Sequence, residues 1–519
     1  MKRRKFIHTA GTALSFPLLF KGMSVSAMTQ SPLFNAINTE DDRVLVLIQL
    51  NGGNDGLNTI IPLDQYENLM NARANIIIPE TSILSVSDTV GFHPNMSALQ
   101  NLYQDGKMGI VQSVGYPNQN RSHFRSKDIW TSASPSEAFW NTGWMGRYFD
   151  TMHPSFPEGY PNEGFPDPIA ITIGSSVSET CQGLATNYSL TLKDPFSLSP
   201  LSEGEGGEVP DTPYGEELQF LRTTISQTNA YGEVIVAAAE GGTTMVDYPD
   251  GNKLAQALKN VSLLISGGLK TKIYIVDLGG FDTHANQVIQ GDPTVGEHAD
   301  LLSYLSEAIS LFQQDMDQQG LSERVLGMTF SEFGRRIKSN DSLGTDHGTA
   351  APLIVFGGCA NPQIMGDNPE IAEEVAHNEG VPMQFDFRDV YGSVLLDWFK
   401  VEGEAVRALI HEDFQYLPVL IDCNPQTTSQ REEFYNAIET DCFPNPFRNT
   451  TTIRFSTKGE EVRLSIFDTL GQERKVLVQK RLPAGEHQVM LKGHDLAPGS
   501  YFYRLQLDGK QKTKRIIKL

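Results

Sequence analysis

The chain has 519 residues, 39% of them hydrophobic and 20% charged, enough for a large core and too many for one ordinary domain. Its formal net charge of −22 argues against nucleic-acid binding, which needs a basic footprint. Residues 1–27 hold five Lys/Arg and no acid, and residues 443–519 hold 15 Lys/Arg against 7 Asp/Glu, so the acidity is concentrated between them. Such a division predicts separate modules, and an acidic body suits an extracellular protein or one that holds cations.

Residues 1–27 read as an export signal. Basic residues precede a short apolar run, which ends in the small-residue site Val25-Ser26-Ala27. The run is too short and too broken to span a bilayer, and no other stretch predicts a transmembrane segment. Arg3-Arg4-Lys5-Phe6-Ile7 resembles a twin-arginine signal, the alternative being a general secretory signal with a chance Arg pair.

Residues 28–415 predict one large α/β domain. Near-continuous apolar runs at 44–50, 108–114, 169–173, 272–278, 325–330 and 352–356 suit parallel strands covered on both faces. Helical patterns at 299–316 and 389–401 alternate with them, which predicts a doubly wound, mostly parallel sheet. The segment 151–270 interrupts the rhythm and includes a Gly/Glu/Pro/Ser-rich loop at 197–215. Residues 416–441 read as a linker, with one helical turn expected at 431–438.

Ligand sites in such sheets lie beyond the carboxyl ends of the strands, so the residues after each run are the candidates. Asn51-Gly52-Gly53-Asn54-Asp55-Gly56 follows the first run; Asp55 is a candidate metal ligand or an Asx-turn residue. Neither a dinucleotide nor a P-loop spacing is present. Arg121-Ser122-His123 follows the second run. Ser122 is a candidate nucleophile at a helix start, or a plain N-cap; Arg121 and His123 are candidates for charge stabilisation and proton relay. Asp282-Thr283-His284 can reach one metal, and His298 is a weaker candidate. Glu332, Asp346 and His347 follow later runs. Asp55, Asp282, His284, Glu332, Asp346 and His347 are all expected near strand mouths of one sheet. Mixed carboxylate and imidazole donors predict one or two divalent ions, with Zn, Mn, Ca and Mg left open. His93, His153, His377 and His411 read as structural or surface residues.

From Cys442 onward the pattern becomes that of a small all-β sandwich. Alternating runs at 452–455, 462–467 and 500–505 are separated by turn signals, and residues 510–519 are basic. Of the four cysteines, Cys423 and Cys442 flank the linker and can close a loop there.

The Phe443-Pro444-Asn445-Pro446-Phe447 opening, the Ile466-Phe467-Asp468-Thr469-Leu470-Gly471 turn and the basic end resemble the C-terminal sorting domain of the type IX secretion system. That resemblance implies secretion-machinery recognition of residues 442–519 and delivery through the periplasm to the surface or medium. The stretches around Gly52–Asp55, Tyr116–Trp130, Gly279–His284, Ser331–Arg336 and Gly344–Ala350 resemble the family named domain of unknown function 1501. That family in turn resembles the alkaline phosphatase and sulfatase superfamily, which implies an alkaline phosphatase-like fold and metal-dependent hydrolysis of phosphate or sulfate esters, on small molecules or polysaccharides. Two departures stand against a full carry-over. The Asp282-x-His284 spacing is shorter than the superfamily's, and Phe333 stands where an imidazole ligand is expected. The alternative is a non-catalytic surface binding or assembly protein that keeps the fold.

Overall fold

The computed structural model describes residues 42–202, 209–210, 212–421, 440–457, 459–468, 473–507 and 510–519. The export signal expected at 1–27, Cys423 and the helical turn expected at 431–438 lie outside the described residues. The chain divides after residue 423 into two compact units.

The first unit is built on a nine-stranded sheet. Its strands are β1 (Val44–Asn51), β2 (Met108–Gly115), β3 (Ala170–Ile173), β4 (Ser189–Leu192), β5 (Ile273–Gly279) and β6 (Val325–Ser331). After a hairpin of β7 (Arg335–Ser339) and β8 (Thr345–His347), the sheet adds β9 (Ala351–Gly357), β10 (Ile364–Met365) and β11 (Phe385–Asp386). The order is β10-β2-β9-β6-β1-β5-β3-β4, with β11 also paired to β2. Pairing is parallel except where β9 runs antiparallel to β2 and β6. All six apolar runs read from the sequence are strands of this sheet. They were legible because a strand buried on both faces keeps no polar alternation.

Register explains where the site forms. Leu50 pairs with Leu278 of β5 and with Ser331 of β6. The carboxyl ends of β1, β5 and β6 therefore finish level, and the segments after them emerge side by side.

Helices cover both faces. Val44, Val46, Ile48 and Leu50 alternate onto one face. They share a core with Leu258, Val261 and Leu264 of α1 (Lys253–Ser266) and Leu302, Leu305, Ile309 and Phe312 of α2 (Glu297–Gln318). Each such fully buried side chain contributes roughly 1.5–3 kcal/mol, an upper estimate because the unfolded chain also buries apolar area. Phe330 has the opposite parity to Val325 of that core and meets an aromatic stack on the other face. There Trp130 stacks on Phe387 at 4.4 Å and Trp144 on Tyr391 at 4.3 Å.

The loop expected at 197–215 ends earlier than its composition suggests. A helix spans Pro213–Gly241, with Pro at its first turn and Thr212 Oγ1 accepting from Gly215 N–H at 3.2 Å. The second unit holds two antiparallel sheets, of three and four strands, around Ile453, Leu464, Ile466, Leu491, Tyr503 and Leu505. Residues 510–519, read only as basic, supply the strand Lys510–Lys518. Of the expected Cys423–Cys442 closure only Cys442 is described, and its Sγ lies 3.0 Å from Thr451 Oγ1. Cys359 is disulfide-bonded, and Cys181 is a buried thiol.

Candidate metal centre

The site starts from glycine and arginine at the strand mouths. Gly52 follows β1 with φ +121°, and a Cβ there would lie 2.2 Å from Asp282 N. Only glycine permits that approach of the two backbones. Gly52 N–H donates to Glu332 Oε1 at 2.8 Å. Arg335, fully buried, donates to the carbonyls of Gly52, Gly53, Phe281 and Thr345. Its remaining bond, 2.8 Å long, goes to Asp282 Oδ1. One guanidinium thus rivets the two donor-bearing segments to the Gly52–Gly53 turn, a role that no spacing in the sequence announces.

Four side chains converge on this frame. His347 Nε2 lies 3.0 Å from Asp282 Oδ1 and 2.9 Å from His284 Nε2, and His284 Nε2 lies 3.2 Å from the same Asp282 oxygen. His123 Nε2 lies 3.4 Å from Asp282 Oδ2. Among the described residues, His123, Asp282 and His347 each offer a ligand atom within 4.8 Å of the others.

The far side of each ring fixes its tautomer. His284 Nδ1 faces Asp346 Oδ1 at 3.1 Å, His347 Nδ1 faces the Arg121 carbonyl at 2.8 Å, and His123 Nδ1 faces Glu332 Oε1 at 2.9 Å. A carboxylate and a carbonyl only accept, so each Nδ1 donates. In the neutral rings each Nε2 then presents a lone pair towards Asp282. The lone pairs of His284, His347 and Asp282 Oδ1 meet at edges of roughly 3 Å, the spacing that donors about 2.0–2.2 Å from one ion subtend. Carboxylate- and carbonyl-anchored imidazoles are the usual outer support of a metal site. The donor set therefore fits a divalent cation.

Electrostatics agree with that arrangement. Burial raises Asp282, but the hydrogen bond and charge of Arg335 work against it, and the carboxyl lies at about 2. Asp282 is ionised at neutral pH. Burial lowers His347 despite its bond to the Arg121 carbonyl, keeping its ring available as a neutral donor. Phe333 is buried and packs its ring on His347 at 4.6 Å and His123 at 4.9 Å. It walls the site where the sequence comparison expected a further ligand.

The expected residues divide. Asp282, His284 and His347 come together, joined by His123, which the sequence suggested for proton relay. Glu332 and Asp346 touch the imidazoles from outside and orient them. Arg121 acts through its carbonyl; its guanidinium donates to the Asn378 carbonyl at 2.9 Å. Ser122 is exposed at the N-cap of the helix His123–Ser132, and its hydroxyl makes no capping bond. Asp55 is placed elsewhere, which corrects its expected convergence with the others. It is 1% exposed, pairs twice with buried Arg73 at 2.8 and 2.9 Å, and accepts from Gln287 Nε2 at 2.6 Å. Burial raises its carboxyl, and the Arg73 charge more than reverses this. His298 is buried against Asn54 at 3.0 Å, and burial lowers it to about 4.

Residues 225–410 match the family described as Protein of unknown function (DUF1501), and residues 441–519 match the Secretion system C-terminal sorting domain. The DUF1501 region contains Asp282, His284, Glu332, Asp346 and His347, whereas Asp55 and Arg121–His123 precede it. The sorting domain marks the chain for export to the cell surface or the extracellular space. Among the described residues no helix is long and apolar enough to cross a membrane.

No curated protein matches the chain. Similar solved structures include the PsFucS1 sulfatase from Pseudoalteromonas sp., with 11% identity over 91% of this chain and 88% of that one at a TM-score of 0.33. A protein in the alkaline phosphatase superfamily from Vibrio parahaemolyticus has 11% identity over 92% of each chain, also at 0.33. PorZ, a surface component of the type-IX secretion system of Porphyromonas gingivalis, has 20% identity over 18% of this chain at a TM-score of 0.13. This chain spans 12% of the length of PorZ.

Proposed function

We propose that the protein is an exported, metal-dependent hydrolase of phosphate or sulfate esters. One observation carries the reading: the imidazoles of His284 and His347 turn bare Nε2 atoms onto one ionised oxygen of Asp282, with every Nδ1 tied down behind them. Asp282, His284 and His347 would hold the ion, with His123 beside the other Asp282 oxygen. A bound divalent ion supplies Lewis acidity towards an ester oxygen and a lowered pKa for a coordinated hydroxyl.

The chain's own residues supply the rest. Ser122 is the proposed nucleophile. Its oxygen bonds to phosphorus or sulfur as the bond from that atom to the alcohol oxygen breaks; its proton passes to His123 and on to the departing alcohol. Water then cleaves the seryl ester, releasing phosphate or sulfate and restoring the hydroxyl. Glu332 holds the His123 ring in place for both transfers.

The test is hydrolysis of 4-nitrophenyl phosphate and 4-nitrophenyl sulfate by the full chain, with Zn, Mn, Mg and Ca added in turn. Turnover that needs a metal and is lost in Ser122→Ala is expected. A chain that binds metal but hydrolyses neither ester class, aryl or polysaccharide, would overturn the hydrolase and favour the surface-binding alternative.

A further inference from the structure

Gln287 is fully buried and uses both ends of its amide. Its Nε2 donates to Asp55 Oδ2 at 2.6 Å. Its Oε1 accepts from Thr345 Oγ1 at 2.7 Å and from Thr283 Oγ1 at 3.3 Å. Thr283 stands between Asp282 and His284, and Thr345 begins the strand that carries His347. A single amide oxygen therefore ties together the two segments that bear three of the four convergent donors.

Asp55 dictates which way the amide points. A carboxylate only accepts, so the NH2 group must face it and the oxygen must face the threonines. Arg73 holds Asp55 in place and also donates to the carbonyls of Arg336 and Ile337 on β7, the partner strand of β8. The two ligand segments also touch directly. Thr345 N–H donates to the Thr283 carbonyl at 3.1 Å, and a Cβ on Gly344 would lie 2.5 Å from the His284 carbonyl. With so little slack, a change at Gln287 moves the donors themselves.

We propose that Gln287 is a positioning residue for the metal centre, setting the gap between Asp282/His284 and His347. Asp55 acts on the site through Gln287, from behind, and is not a ligand. The inference rests on the metal reading above.

The test is cobalt titration of the full chain after chelator dialysis, following affinity, the visible d–d spectrum and the apo thermal midpoint. The variants are Gln287→Met, which keeps length but not the amide, Thr345→Val, and Thr345→Ser, which restores the hydroxyl. Weakening by roughly 10–100-fold with a changed spectrum is expected for Gln287→Met and Thr345→Val, and recovery for Thr345→Ser. If Gln287→Met does not fold, the Val and Ser pair decides the matter. Wild-type affinity and spectrum in the variants, with only the thermal midpoint lowered, would overturn the inference while leaving the metal reading intact. A wild-type chain that takes up no cobalt overturns both.

Discussion

The Nε2 atoms of His284 and His347 face each other at 2.9 Å, although both Nδ1 atoms already donate to oxygen acceptors. Two bare imidazole nitrogens at that distance repel unless a proton or a cation lies between them. The oxygen of Asp282 beside both, ionised under the pull of Arg335, makes a cation the natural partner.

Asp346 supports His284 from outside the donor set and pairs with Arg336 at 3.0 Å. Asp346→Ala removes the acceptor that orients the ring. Metal affinity is expected to fall roughly 10–100-fold with the ligands intact, as for other outer-shell carboxylates. A chelator-competition titration measures it, and unchanged affinity would remove Asp346 from the account.

Gly52→Ala meets two obstacles at once: a φ of +121° and a Cβ 2.2 Å from Asp282 N. The backbone conformation alone costs about 1–3 kcal/mol. Relief of the clash displaces Asp282, so the variant is expected to melt earlier and to bind metal weakly. Calorimetry with and without added zinc separates the two effects.

Asp55→Ala leaves the Arg73 guanidinium buried without its partner. A loss of about 3–5 kcal/mol is expected, read as a fall in the thermal midpoint. The pH dependence follows from the sign of the shift. The folded carboxyl lies below its ordinary value, so its stabilisation is present above the unfolded carboxylate range and lost as pH falls through the folded value. Wild type should lose stability on acidification below about pH 4 more steeply than Asp55→Ala.

His298 has the opposite charge logic. Burial lowers its ring to about 4, so the folded state holds it neutral. As pH falls from 6.5 towards 4 the unfolded chain binds the proton first, and stability falls by up to roughly 3 kcal/mol. His298→Gln should flatten that arm of a midpoint-against-pH curve; an unchanged slope would assign it to other groups.

Much of the fold could be read from the sequence because the central strands are buried on both faces and stand out as apolar runs. The rule that sites lie beyond the carboxyl ends of such strands made Asp282, His284 and His347 visible as candidates. What escaped has a common cause: partners distant in sequence. Nothing near Asp55 announces Arg73, 18 residues on, so a buried ion pair looked like a ligand. Arg335 and Gln287 carry no motif, and only the folded chain shows how many backbones and hydroxyls each one joins. Glu332 and Asp346 were found as acids near the site, but their place behind the imidazoles depends on ring orientation, which spacing does not encode.

The central claim is that His284, His347 and Asp282 hold a cation. Elemental analysis of the full chain, purified without chelator, tests it most directly beside Asp282→Ala and His347→Ala. The account predicts about one tightly held divalent ion per wild-type chain and its loss in both variants. A metal-free wild type that Zn, Mn, Mg and Ca all fail to stabilise would contradict it.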